Sequence, residues 1–137
     1  MAVSARWPIV VALPVLAGER DDDDHLVALG IERLFAEARA AYFATCSTLE
    51  GVAVELQRAT AETGSAPVDD AGVTVSVNVV EVYPDSFTMT ARIRPNGPAD
   101  GDGIAATAWC QLSPGGEVTT AMREEFIAHA HSARYMH

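Results

Sequence analysis

Residues 18–47 read GERDDDDHLVALGIERLFAEARAAYFATCS, an acidic cluster and a histidine running straight into the chain's best amphipathic helix. From Ile31 onward the apolar or small residues fall at Ile31, Leu34, Phe35, Ala38, Ala41, Tyr42 and Thr45, a three-and-four spacing that makes one face of an α-helix. Glu32, Arg33, Glu37 and Arg39 occupy the opposite face. Asp21, Asp22, Asp23 and Asp24 precede the helix, where unpaired N–H groups and the macrodipole favour negative charge by roughly 0.3–1 kcal/mol per exposed carboxylate. Read this way, the acidic run is a capped helix start.

On either side of the helix the chain turns to β-structure. Trp7 to Ala17 reads as a first strand, and Pro8 and Pro14 confine it to a sheet edge or to irregular ends. Two prolines and a short apolar core argue against taking this start for a secretory signal. After the helix, Val52, Val54, Leu56, Gln57 and Arg58 could extend a helix, and Glu62 to Gly72 reads as a loop rich in turn residues. Val73, Val75, Val77 and Val79 then alternate with polar residues until the parity shifts at Val80 and Val82, which suggests a β-bulge or a bend. Tyr83-Pro84-Asp85-Ser86 forms the turn into a strand carrying Phe87, Met89, Ala91 and Ile93, paired with the first as an antiparallel hairpin. Ile104, Ala106, Ala108, Cys110 and Leu112 line another strand. The run VTTAMREEFIAHA reads as the last strand, with a helix over Met122 to Ala130 as the alternative.

The sum is one long helix and about five antiparallel strands, an α+β arrangement in a single domain over residues 1–137. A formal net charge of -10 argues against nucleic acid or an anionic membrane as partner, since phosphates need cationic patches. No apolar run approaches the roughly 18 residues that span a bilayer. Cys46 and Cys110 lack metal or disulfide spacing and read as free thiols of a reducing cytoplasm. His129, His131 and His137 have no carboxylates at ligand spacing, so no metal is expected.

Reading back from His25 gives Glu19 and Asp21; reading forward gives Leu26, Arg33, Leu34, Phe35 and then Glu37-Ala38-Arg39. This pattern resembles the signature of hot-dog-fold thioesterases of the 4-hydroxybenzoyl-CoA thioesterase type. There, an acidic residue leads into a Gly-His-Val-Asn turn and a helix ending in Glu-Ala-Arg. Asp24 stands where the family has Gly, Ala28 near its Asn, and Ile31 where many members have Tyr. The resemblance implies a curved antiparallel sheet wrapped around one central helix, assembled as a homodimer or homotetramer with a site shared between subunits.

It also implies hydrolysis of an acyl thioester carried on coenzyme A or an acyl carrier protein, without a separate cofactor. Asp21 matches the family's acidic position and would act as base or nucleophile, with N–H groups near His25 and Leu26 as oxyanion donors. Asp24 would lie beside that oxyanion, and His25 could orient the substrate. Glu37 is the competing catalytic carboxylate, unless it pairs with Arg33 one turn earlier. Arg92 and Arg94 share a strand face and could hold coenzyme A or phosphopantetheine phosphates; the alternative is an ordinary polar sheet face. Two other functions fit the same fold. A hydratase or dehydratase would use Asp21 with His25, though its motif wants Asn-Pro where this chain has Asp23-Asp24. A non-catalytic protein would bind an acyl ligand or simply dimerise.

Overall fold

The computed structural model describes residues 9–22, 25–61, 72–95, 104–112 and 116–134. Its elements are β1 (Ile9–Leu13), α1 (Ala28–Ala44), β2 (Val54–Ala61), β3 (Val73–Val82), β4 (Ser86–Pro95), β5 (Ile104–Leu112) and α2 (Thr120–Arg134). A single 3-10 turn at Ser47–Leu49 separates α1 from β2. The strands form one antiparallel sheet in the order β1-β3-β4-β5-β2, with α1 packed on one face. This is the hot-dog architecture that the 18–47 stretch resembles.

Alternation builds the sheet's inner face. Val75 stands opposite Ile93, Val77 opposite Ala91 and Val79 opposite Met89, all buried against Leu34, Phe35, Ala38 and Tyr42 of α1. The expected bulge is present, because the register slips between Val79 and Glu81. Val80 is thereby left exposed, and Val82 returns inward opposite Phe87. Tyr83 closes the hairpin by donating its N–H to the Ser86 carbonyl at 2.8 Å. As the prolines imply, β1 is an edge strand, followed at once by Pro14.

Three expectations fail. Residues 54–61 do not extend a helix; they form β2, the other edge, paired with β5 through a register shift between Leu56 and Arg58. That shift breaks the alternation that would have marked a strand in the sequence. The C-terminal run is α2 and not a strand. Thr119 accepts the Met122 N–H at 3.2 Å as an N-terminal cap, and Met122 and Phe126, one turn apart, are buried against the core. Phe126 lies 5.1 Å from Phe87 and 6.2 Å from Tyr42, ring centre to ring centre. Glu125 then ties α2 to the 3-10 turn by accepting from the N–H and hydroxyl groups of both Ser47 and Thr48. The expected acidic cap of α1, finally, is not found among the described residues, Asp23 and Asp24 lying outside them. The N-cap is Val27, which has no side-chain acceptor, and no acidic residue lies in the first turn.

Candidate active site

On either side of Asp23 and Asp24, residues 19–21 and 25–27 pair in antiparallel fashion. Arg20 bridges Leu26, the Val27 N–H donates to the Glu19 carbonyl at 2.8 Å, and the Asp21 N–H donates to the His25 carbonyl at 2.8 Å. Asp21 also accepts the His25 N–H on Oδ1 at 3.0 Å. This loop sits so close to α1 that a Cβ added at Gly30 would lie 2.8 Å from both the Cβ and the carbonyl oxygen of Glu19. Only a glycine admits that approach.

Glu19 anchors the loop. Its carboxylate is buried and accepts the Leu16 N–H at 2.7 Å and two Arg33 N–H groups, from Nε at 2.5 Å and from the terminal nitrogen at 2.8 Å. Arg33 donates further to the Pro14 carbonyl at 2.6 Å and to Glu37 Oε2 at 2.5 Å. The Arg33 hydrogen bond, outweighing burial, holds the Glu19 carboxyl below the usual carboxylate range. Glu19 is thus a strut held in its charged form at neutral pH, with both carboxylate oxygens engaged, and is unsuited to take a substrate proton.

The opposite flank of α1 is open. A groove of about 560 Å³ runs between the helix and the edge strand β2. On the helix side Leu26, Ala28, Ile31, Glu32, Phe35, Ala36 and Arg39 line it, and residues 56–61 form the other wall. It exists because α1 packs on β1 and β3 and stands away from β2. Its size is that of a small-molecule site. At its head the first turn of α1 offers N–H groups without intrahelical acceptors, the first i→i−4 bond being Ile31 to Val27 at 3.1 Å.

The sequence-predicted residues separate. Leu26 lines the groove; Asp21 and His25 belong to the loop that leads into it, and neither is among its lining residues. The His25 N–H is already used by Asp21, whereas among the described residues the Leu26 N–H makes no hydrogen bond. Glu37 stands on the far flank, engaged by Arg33. Arg92 and Arg94 alternate with the buried Ala91 and Ile93, which puts them on the sheet face turned away from α1 and the groove. Asp24 lies outside the described residues. Sequence reasoning passed over Glu32 and Arg39 as groove residues, and a helical wheel could have found them. Seven residues bring a helix round to within roughly 20° of the same direction, whereas Arg33 is displaced by about 100° from Glu32.

Neither cysteine is a nucleophile. Burial pushes both Cys46 and Cys110 thiols up to about 11, which keeps them neutral near pH 7. Among the described residues no three His, Cys, Asp or Glu side chains converge as a metal site, and no helix is long and apolar enough to cross a membrane.

Fold and groove together define a hot-dog domain with an open groove along its central helix. Solved structures agree on the fold. A thioesterase from Thermus thermophilus, complexed with coenzyme A and zinc, superposes with a TM-score of 0.76 over 92% of this chain and 96% of its own, at 21% identity. A 4-hydroxybenzoyl CoA thioesterase complexed with 4-hydroxybenzoyl CoA gives 0.70 over 86% and 97%, at 15% identity. A gentisyl-coenzyme A thioesterase gives 0.69 over 87% and 99%, also at 15% identity. No family model and no curated protein matches the sequence itself.

Proposed function

We propose that this chain is an acyl-CoA thioesterase. The observation that supports the reading is the groove, whose head is formed by Leu26 and the first turn of α1 with N–H groups that make no hydrogen bond among the described residues; Asp21 belongs to the loop that leads into Leu26, and we infer that its carboxylate serves this site. A thioester carbonyl seated there would direct its oxygen at those N–H groups, which stabilise the developing negative charge in a site partly shielded from water. Asp21 would take a proton from an attacking water, and the coenzyme A sulfur would leave with that proton. Alternatively Asp21 would attack the carbonyl carbon itself, and water would then cleave the resulting anhydride. His25 serves as the partner that orients Asp21 through its backbone, so the oxyanion donors shift from His25 to Leu26 and its successors.

Glu37 is a poor alternative, because it points to the β1 flank and is bound by Arg33. Arg92 and Arg94 lie on the wrong sheet face to meet phosphates leaving this groove in one protomer. The acyl carrier could equally be a carrier protein. Assembly fits the same reading. Among the described residues β2 pairs only with β5 and leaves its outer edge open, with Leu56 48% exposed, so a second copy can add there and complete the groove as a dimer or tetramer. Two free buried thiols suit a reducing cytoplasm.

The test is a panel of acyl-CoAs with a thiol-detecting reagent. Wild-type protein should release coenzyme A from at least one, and Asp21→Asn should lower turnover by about two orders of magnitude or more, the scale of a lost positioned base. Full activity in Asp21→Asn together with loss in Glu37→Gln would move the chemistry to the other flank. Size analysis that finds only monomer at micromolar concentration would remove the shared site.

A further inference from the structure

Among the described residues, two arginines line the groove, Arg39 from α1 and Arg58 from β2, and Arg39 is the one stacked on an aromatic ring. Its guanidinium carbon lies 4.5 Å from the centre of the Phe35 ring, and it is only half-exposed. Among the described residues it makes no hydrogen bond and no ion pair. Glu32 faces the same groove two turns earlier without pairing to it, and Cys110, the other titratable group beside it, stays a neutral thiol. An arginine cannot shed its proton, so five N–H donors in a fixed plane border the groove with no protein acceptor among the described residues. Stacking on Phe35 satisfies the face of the guanidinium and leaves its edge, which is the part that binds carboxylates in a two-point fork.

The spacing identifies what would reach that edge. Phe35 lies seven residues beyond Ala28, about 10 Å along the helix axis from the N–H groups at the groove head, a distance that an extended chain of roughly eight carbons covers. Resting on the thioesterase reading above, we propose that Arg39 is a specificity residue and that the preferred substrate is a medium-length acyl thioester with a carboxylate at its far end. Between the two points Ala28, Ile31, Phe35 and Ala36 give the helix wall an apolar strip that suits the methylene chain, with the Glu32 carboxylate beside it.

The experiment compares suberyl-CoA with octanoyl-CoA, equal in length and differing only in the terminal carboxylate. Wild-type kcat/KM should favour suberyl-CoA by about 10-fold or more, Arg39→Met should collapse that ratio toward unity, and Arg39→Lys should fall between, since lysine keeps the charge and loses the fork. The same pairs as N-acetylcysteamine thioesters carry no phosphate. A preference that survives there supports the proposal; an Arg39→Met defect that raises KM for every coenzyme A substrate and vanishes without phosphates would show that Arg39 reads coenzyme A, and overturns it. Calorimetry with free suberate and octanoate separates this inference from the hydrolase reading. Suberate binding that depends on Arg39 upholds the groove assignment even where no thioester is cleaved, and hydrolysis with no preference between the two acids sinks the assignment while leaving the enzyme.

Discussion

On the flank of α1 that faces β1, Arg33 spends its donors on Glu19, Glu37 and the Pro14 carbonyl; on the flank that faces β2, Arg39 lies against Phe35 with its edge free. The two arginines are six residues apart on one helix. What separates them is how closely the sheet approaches. The β1 side is sealed by the 19–27 loop, so charge there is consumed in holding the loop, while the β2 side is left open and its charge remains available to a ligand. The helix has one sealed flank and one open flank, and composition alone does not distinguish them.

The largest effect should come from breaking the sealed flank. Arg33→Met leaves the buried Glu19 carboxylate without its main partner, and loss of one member of such a pair costs about 3 kcal/mol, the low end for a buried ion pair because Arg33 is partly exposed. Denaturant unfolding measures this, and Glu19→Gln added to Arg33→Met should recover part of the loss. Next is Gly30→Ala, where the new Cβ must push the Glu19 backbone outward, at a cost of about 1–3 kcal/mol. Because that backbone carries Asp21, thioester turnover should fall with it. A Gly30→Ala protein of unchanged stability and turnover would mean that the loop is not seated as described.

Acid sharpens the same comparison. The folded state lowers the pKa of Glu19, so the stability it contributes is complete above the unfolded value, near 4.5, and is lost as pH falls through the lower folded value. Wild type should therefore exceed Arg33→Met by its full margin at neutral pH, and the gap should close progressively below about pH 4. A gap that widened on acidification would contradict a charged Glu19. The smallest change is expected for Glu37→Gln. Its pair with Arg33 is exposed and one turn apart on the helix, worth about 0.5 kcal/mol or less, and the substitution should leave turnover close to wild type.

Much of the architecture was legible. The three-and-four spacing of α1 and the alternation through β3, β4 and β5 each match one period, and a buried face leaves little choice of register. The slip at Val80 announced its own bulge. By contrast β2 hid, since its register shift falls at Gln57 and nearly all its residues are exposed, leaving no apolar stripe to read. α2 was masked because Thr119, Thr120 and Val118 suggest a strand locally, while Met122 and Phe126 are held by packing on Phe87 and Tyr42, contacts far away in sequence. The fifth strand was thus counted correctly but assigned to the wrong segment.

The candidate site divides along the same line. That a carboxylate loop leads into an amphipathic helix within an antiparallel α+β domain follows from the order of residues alone, because helix and strand periodicity and the Glu19-Asp21-His25 spacing are local properties. Which carboxylates are engaged, that Asp21 takes the His25 N–H, that Glu19 and Glu37 belong to Arg33, and that Arg39 faces an open groove emerge only in the folded molecule. The reason is physical: those assignments depend on how far α1 stands from each edge of the sheet, and that distance is set by the joint packing of strands brought together from both ends of the chain.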